Sequence, residues 1–216
     1  MKTIIYCFTG TGNSLRVSKL YQEELGDTTI HLIREDNKEI PNPNDFERVI
    51  FSYPIHGFNA PEIVLKFAKK LPNVDKLPTY IAKTSGEGLH LNDCSSQKLI
   101  RIIKKKGFDV YIERHIVMPY NMIYRHVDPM AKQMWVYAKA LSHINCEEIK
   151  QGKRYKVRQP VYKKWYAPIV RIEQPFAHIH GKAFKVDYKK CIGCNACINN
   201  CPTGNITKVG DKYKFG

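Results

Sequence analysis

A chain of 216 residues, 43% hydrophobic and 25% charged, has the composition of an ordinary globular protein with room for one large domain, or for a medium domain and a small one. Its formal net charge of +15 is lopsided: residues 151–216 hold 14 Lys and Arg against 3 Asp and Glu, whereas residues 1–150 hold 21 against 17. No apolar run approaches the about 20 residues that span a bilayer, and MKTIIYCF at the start lacks a secretory core. A cytoplasmic, reducing location is therefore expected, and the seven cysteines read as metal ligands or buried thiols rather than disulfides.

KTIIYCF (2–8) is a β-branched apolar run of strand length, and T-G-T-G-N-S (9–14) follows it at once. SLRVSKLYQEEL (14–25) has helical apolar spacing and a stop at Gly26. TTIHLI (28–33) reads as a second strand and ERVIFSYP (47–54) as a third, ended by Pro54. IHGFNAP (55–61) then leads into a helix, EIVLKFAKKL, with Pro61 at its first turn. TYIAKT (79–84) is a fourth strand, followed by SGEGLHLND; SSQKLIRIIKKKG is a basic helix ending at Gly107. FDVYIERHIVMP (108–119) is a fifth strand, and about 129–150 a last helix. Strands alternating with helices predict an α/β fold, a doubly wound five-stranded parallel sheet. In the order 2-1-3-4-5, the loops after strands one, three and four (9–14, 54–60 and 85–93) converge at the carboxyl ends of neighbouring strands.

The first loop discriminates among phosphate cradles. It has no lysine after Gly12, which a nucleoside-triphosphate loop requires, and Leu15 stands where a dinucleotide fingerprint needs its third glycine after Gly10 and Gly12. Thr9, Thr11, Asn13 and Ser14 offer side-chain donors, and backbone N–H groups at a helix start add an anion nest, a set suited to a phosphomonoester. The plain alternative is a Gly/Thr turn capped by Ser14.

FTGTGNS (8–14) after an amino-terminal strand resembles the FMN-phosphate loop of flavodoxins. YPIHGFNAP (53–61) resembles that family's second flavin-contacting segment, and KTSGEG (83–88) lies where its third belongs. The resemblance, over about residues 1–150, implies an FMN site built from Thr9, Gly10, Thr11, Gly12, Asn13, Ser14, Tyr53, Pro54, His56, Gly57, Phe58, Asn59, Thr84, Ser85 and Gly86. Tyr53, His56 and Phe58 are the candidates to flank the ring, since the third loop carries no aromatic. MPYNM (118–122) resembles a segment that borders the site in flavodoxin–ferredoxin fusions.

CIGCNACINNCP (191–202) reads C-x2-C-x2-C-x3-C-P, the bacterial ferredoxin run whose thiolates hold a 4Fe–4S cluster. Zinc ribbons separate two CxxC pairs by a dozen or more residues, a spacing this chain lacks. By the two-cluster rule Cys191, Cys194 and Cys197 hold one cluster and Cys201 belongs to a second. Cys7, Cys94 and Cys146 are isolated, and Cys7 reads as core. ITKVGDKYKFG (206–216) reads as a hairpin turning at Gly-Asp, and the chain stops where a second cysteine run is expected. The expectation is thus a truncated product: two clusters in the intact protein, absent or incomplete in this chain. The alternatives are a one-cluster variant using Cys201, or a cluster completed by another chain.

Together the two ends resemble the flavodoxin–ferredoxin fusion family of anaerobic microbes. That resemblance implies residues 1–150 as an FMN domain, 151–180 as a basic connector and 181–216 as a partial ferredoxin-like α+β module. The function expected is electron transfer between iron–sulfur clusters and FMN, relaying between a redox partner and an unidentified acceptor. The resemblance is compatible with an FMN/iron–sulfur electron-transfer flavoprotein and with an oxidoreductase. The basic region suits an acidic partner such as a ferredoxin, a flavodoxin or a reductase. No helix-turn-helix or RNA motif is present, so nucleic acid is not expected. The alternatives are a flavin-dependent reductase of a specific small molecule, with Tyr53, His56, His90 and Tyr120 as proton donors, and a redox-sensing regulator.

Overall fold

The computed structural model describes residues 1–86, 90–120, 124–155 and 184–215. Its first part runs β1 (Thr3–Cys7), α1 (Asn13–Leu25), β2 (Thr28–Leu32), β3 (Arg48–Pro54), α2 (Glu62–Lys70), β4 (Leu77–Ser85), α3 (Gln97–Lys104), β5 (Phe108–Val117) and α4 (Asp128–Lys150). The five strands form one parallel sheet in the order β2-β1-β3-β4-β5, as the alternation of elements implies. β4 extends beyond TYIAKT at both ends, because its pairing with β5 continues from Leu77 to Ser85.

Period-two alternation explains how an almost uninterrupted apolar strand serves two faces. Ile4, Tyr6, Val49, Phe51 and Tyr53 point to one side and pack with Phe67 and Ala68 of α2 and Leu99 and Ile103 of α3. Ile5, Cys7, Ile50, Tyr80 and Ala82 point to the other and meet Val17 and Tyr21 of α1 and Ala138, Cys146 and Ile149 of α4. Cys7 is core, as its isolation in β1 suggests, and burial pushes its thiol up to about 11. Each large apolar side chain so buried contributes about 1.5–3 kcal/mol. A polar seam fixes α4: Asn145 Nδ2 donates to Tyr21 Oη (3.0 Å), while Arg114 on β5 donates to Asn145 Oδ1 (3.0 Å) and Glu148 (2.6 Å).

The second part comprises α5 (Ala196–Asn200) and an antiparallel hairpin of β6 (Ile206–Val209) and β7 (Lys212–Phe215), turning at Gly210 (φ 60°) and Asp211. Phe184 packs against Phe215, and Tyr188 Oη accepts from Tyr213 N (3.0 Å), tying the approach to the hairpin. Residues 156–180 of the expected connector, Glu87 and Gly88 of the third loop, and Asn121 and Met122 lie outside the described residues. Among the described residues no helix is long and apolar enough to cross a membrane.

Candidate functional site

Parallel strands put all their carboxyl ends on one edge, so the loops after β1, β3 and β4 stand side by side there. In the first, Gly12 adopts φ 95°, a left-handed conformation that costs glycine nothing, and its N–H donates to Thr9 Oγ1 (3.0 Å). No atom lies within 4 Å of where a Cβ on Gly10 or Gly12 would stand, so the loop faces open space. Thr9, Thr11, Gly12 and Asn13 are exposed or half-buried, and α1 begins at Asn13, its first N–H groups aimed into the loop. This hydroxyl- and amide-rich, cation-free cradle fits a phosphomonoester. Ser14 faces inward: it is 1% exposed, and its Oγ lies 2.8 Å from Thr84 Oγ1. That bond joins the first loop to the third.

The second loop is a two-residue reversal closed by reciprocal backbone bonds between His56 and Asn59 (2.9 and 3.0 Å), with Gly57 at φ 50° and Phe58 at φ 54°. Two positive φ values define a type I′ turn, and a bulky side chain at the second is strained by about 1–2 kcal/mol. Such strain concentrates at ligand-contacting loops. His56 stands edge-on to Phe8 (centroids 5.9 Å, 78°), and the dehydrated side of its ring lowers its pKa. Ile55 N donates to Thr84 O (2.8 Å) and Ala60 N to Ser95 O (2.8 Å), so the second loop is fastened to the third as well.

The third loop is held from below. Lys83 on β4 is 2% exposed; its Nζ donates to Asn92 O (2.7 Å), Asp93 O (3.3 Å) and Glu113 Oε1 (2.5 Å) on β5. Ser85 Oγ meets His115 Nε2 at 2.7 Å and accepts from Asn92 Nδ2 (3.3 Å). Burial first, then the Lys83 ammonium, push the His115 imidazole down to about 4, which keeps it neutral. Above the loop lies Tyr120: a Cβ on Gly86 would come within 2.3 Å of Tyr120 Cδ2. Tyr120 also stacks on Tyr124 (centroids 4.5 Å, 21°). Asn13 Nδ2 donates to Pro119 O (2.8 Å), so the segment carrying Tyr120 bridges the first and third loops.

At the other end of the chain, Cys191, Cys194 and Cys197 are exposed and Cys201 is half-buried. Gly193 (φ 72°) and Asn195 (φ 54°) coil the backbone around them, and α5 carries Cys197 and ends at Cys201. Burial opposes ionisation of Cys201, but hydrogen bonds from the Thr203 hydroxyl and from the backbone of Thr203, Asn205 and Ile206 outweigh it and lower its pKa. Tyr213 on β7 donates to Asn195 Oδ1 (2.8 Å). Its pKa is raised by desolvation and then by the charge of Cys191, Cys197 and Cys194 beside it.

A family model described as a 4Fe-4S binding domain matches residues 184–207. Over 29 residues the chain is 52% identical to pyruvate synthase subunit PorD of Methanocaldococcus jannaschii, a match covering 13% of this chain and 34% of that protein. The chain thus spans about a third of the length of that curated relative. The Fusobacterium nucleatum flavodoxin bound to flavin mononucleotide superimposes with a TM-score of 0.50 at 16% identity, covering 71% of this chain and all of that one. A WrbA-like flavodoxin from Agrobacterium tumefaciens aligns with a TM-score of 0.48 at 15% identity, over 70% of this chain and 99% of its own. The chain joins a flavodoxin-like fold to a 4Fe–4S segment.

Within the flavodoxin-like part, Thr9, Gly10, Thr11, Gly12, Asn13, Pro54, His56, Gly57, Phe58, Asn59, Ser85 and Gly86 come together at the carboxyl edge of the sheet, at its surface. Ser14 and Thr84 lie beneath them as the bridge between loops. Tyr53 does not join them: it is 0% exposed and its hydroxyl donates to Ser96 Oγ (2.7 Å) in the layer under α2 and α3. The alternation Val49-Phe51-Tyr53 carried that signal, since all three share one face. Lys83 and Glu113 are supporting residues with little sequence signature, whereas Tyr120, in the MPYNM segment, lies against the third loop at Gly86. Lys83 pairs in register with His115, and its carboxylate partner Glu113 stands two residues earlier on β5, opposite Ile81.

Proposed function

We propose that the chain is an electron-transfer flavoprotein in which residues 1–150 hold FMN, residues 181–216 hold iron–sulfur chemistry, and 151–180 form a basic connector. The observation that carries this reading is a single chain with a cation-free, hydroxyl-lined loop on the carboxyl edge of a flavodoxin-like sheet and a C-x2-C-x2-C-x3-C-P run matched by the 4Fe–4S model. A flavin supplies one- or two-electron exchange and a 4Fe–4S cluster one-electron exchange. Thr9, Thr11 and the amides at the start of α1 would hold the phosphate. The segments Pro54–Asn59 and Thr84–Gly86 would border the ring, with His56 and Phe58 as its aromatic neighbours. Cys191, Cys194 and Cys197 are the ligands assigned to one cluster, and the hydrogen bonds around Cys201 favour its thiolate as a further ligand. The excess of cations beyond residue 150 suits an acidic redox partner, with encounter rates that fall as salt rises.

The test is anaerobic purification followed by reconstitution with FMN, iron and sulfide. Expected are stoichiometric flavin, a cluster absorbance lost when Cys191, Cys194 and Cys197 are replaced by Ala, and reduction by an acidic ferredoxin that slows in high salt. A chain that retains neither cofactor under these conditions refutes the reading.

A further inference from the structure

Among the described residues, hydrogen bonds fasten the cysteine run to the flavodoxin-like part just beyond β2. Beyond β2, at the edge of the sheet, Arg34 sends Nη2 to two backbone carbonyls of the run, Asn199 O (3.0 Å) and Cys201 O (3.2 Å). Its neighbour Glu35 donates its N–H to Pro202 O (2.9 Å). The loop that presents Arg34 is itself braced. Arg34 N donates to Asn37 Oδ1 (2.6 Å), and Arg34 Nε donates to Asp36 Oδ1 (3.2 Å), which sets the plane of the guanidinium.

The chemistry of this contact is that of a helix carboxyl end. α5 has five residues and closes at Cys201, so its last carbonyls have no partner within the helix. Cationic donors suit that end, and here the two N–H groups of one guanidinium nitrogen, Nη2, serve two carbonyls while Nε is held by Asp36. The position is equally specific. Cys7 of β1 pairs with Leu32 of β2, and Ile33 N donates to Cys7 O (2.8 Å). Arg34 therefore follows β2 by two residues just as Thr9 follows β1, both at the carboxyl ends of neighbouring strands. The contact sets the cysteine run at the carboxyl end of β2, the strand next to β1 at the edge of the sheet.

We infer that Arg34, with Glu35, is a docking latch: it caps the carboxyl end of α5 and fixes the iron–sulfur segment on the edge of the sheet that carries the flavin loops. The inference rests on the proposed function for its electron-transfer consequence and on hydrogen bonds alone for the docking itself. Arg34 touches no reacting atom; it is a positioning residue.

The test uses the full chain with Arg34→Ala and Arg34→Lys. The Glu35 amide is the direct reporter, because its acceptor is Pro202 O. In the parent chain its hydrogen exchange, read by NMR, is slowed at least tenfold relative to Arg34→Ala, with Arg34→Lys between the two. FMN content and cluster absorbance stay unchanged, while the rate of electron exchange between flavin and cluster falls at least threefold in Arg34→Ala. Equal Glu35 exchange in the parent and in Arg34→Ala overturns the latch, as does an unchanged electron-exchange rate once both groups are bound. If the parent chain binds neither group, the proposed function falls while the amide still decides the docking.

Discussion

Replacing Gly86 by Ala probes the most crowded point of the candidate site. An added Cβ would stand 2.3, 2.6 and 2.8 Å from Tyr120 Cδ2, Cβ and Cγ. Carbon atoms rest about 3.5–4.0 Å apart, so the overlap exceeds about 1 Å at the closest atom. Gly86 has a backbone conformation open to alanine, which leaves steric overlap as the whole effect. The tyrosine cannot simply swing away. Its segment is tied by Asn13 Nδ2 to Pro119 O, by Met118 N to Ser85 O (2.8 Å) and by Tyr120 N to His126 Nδ1 (3.0 Å). Overpacking of this kind costs about 1–3 kcal/mol. A loss of about 2 kcal/mol corresponds to a fall in Tm of about 4–8 °C for a chain of this size. Urea unfolding of the parent, Gly86→Ala, Tyr120→Gly and the double variant closes a cycle in which the methyl group added at Gly86 costs almost nothing once the Tyr120 side chain, its Cβ included, is gone. Strictly additive losses would refute the assignment of the crowding to Tyr120.

Three further outcomes are expected. Phe58→Gly relieves the left-handed strain, so stability stays level or rises by about 1 kcal/mol, while FMN affinity in a fluorescence titration falls; unchanged affinity would remove Phe58 from the ring site. His115 is held neutral with its pKa near 4, below the ordinary imidazole value of about 6.5, so the unfolded chain takes up its proton first as pH falls. Stability attributable to it is therefore complete above about pH 6.5 and drains away towards pH 4, and urea midpoints of His115→Gln should lack that slope. Cys201 ionises below the ordinary thiol value, so its contribution is full above about pH 8.5 and lost as pH falls through the lowered pKa. In the cluster-free chain Thr203→Val should shift alkylation of Cys201, followed by mass spectrometry against pH, to higher pH.

The sheet was legible because its strands are short, β-branched and regularly interleaved with amphipathic helices. The two glycine turns marked strand ends that the structure places within a residue or so. The cysteine run was legible because its spacing is a local code. What sequence order hid is pairing across space. Ser14 reads as a helix cap, yet the helix begins one residue earlier and its hydroxyl meets Thr84, seventy residues on. Tyr53 reads as a ring neighbour because it adjoins the second loop, but strand parity turns it into the core. Lys83 and Glu113 lie on different strands and reveal their partnership only when β4 and β5 are laid side by side. Arg34 looks like any surface arginine until the last carbonyls of α5 arrive beside it.

Cys191, Cys194 and Cys197 stand open to solvent, with only Cys201 drawn inward. Thiols so placed bring any metal they hold within short reach of a docking partner, and by the same geometry within reach of dioxygen and peroxide, which attack exposed thiolates first. For a cluster held there, speed of exchange and vulnerability to oxidation would be one property of one loop.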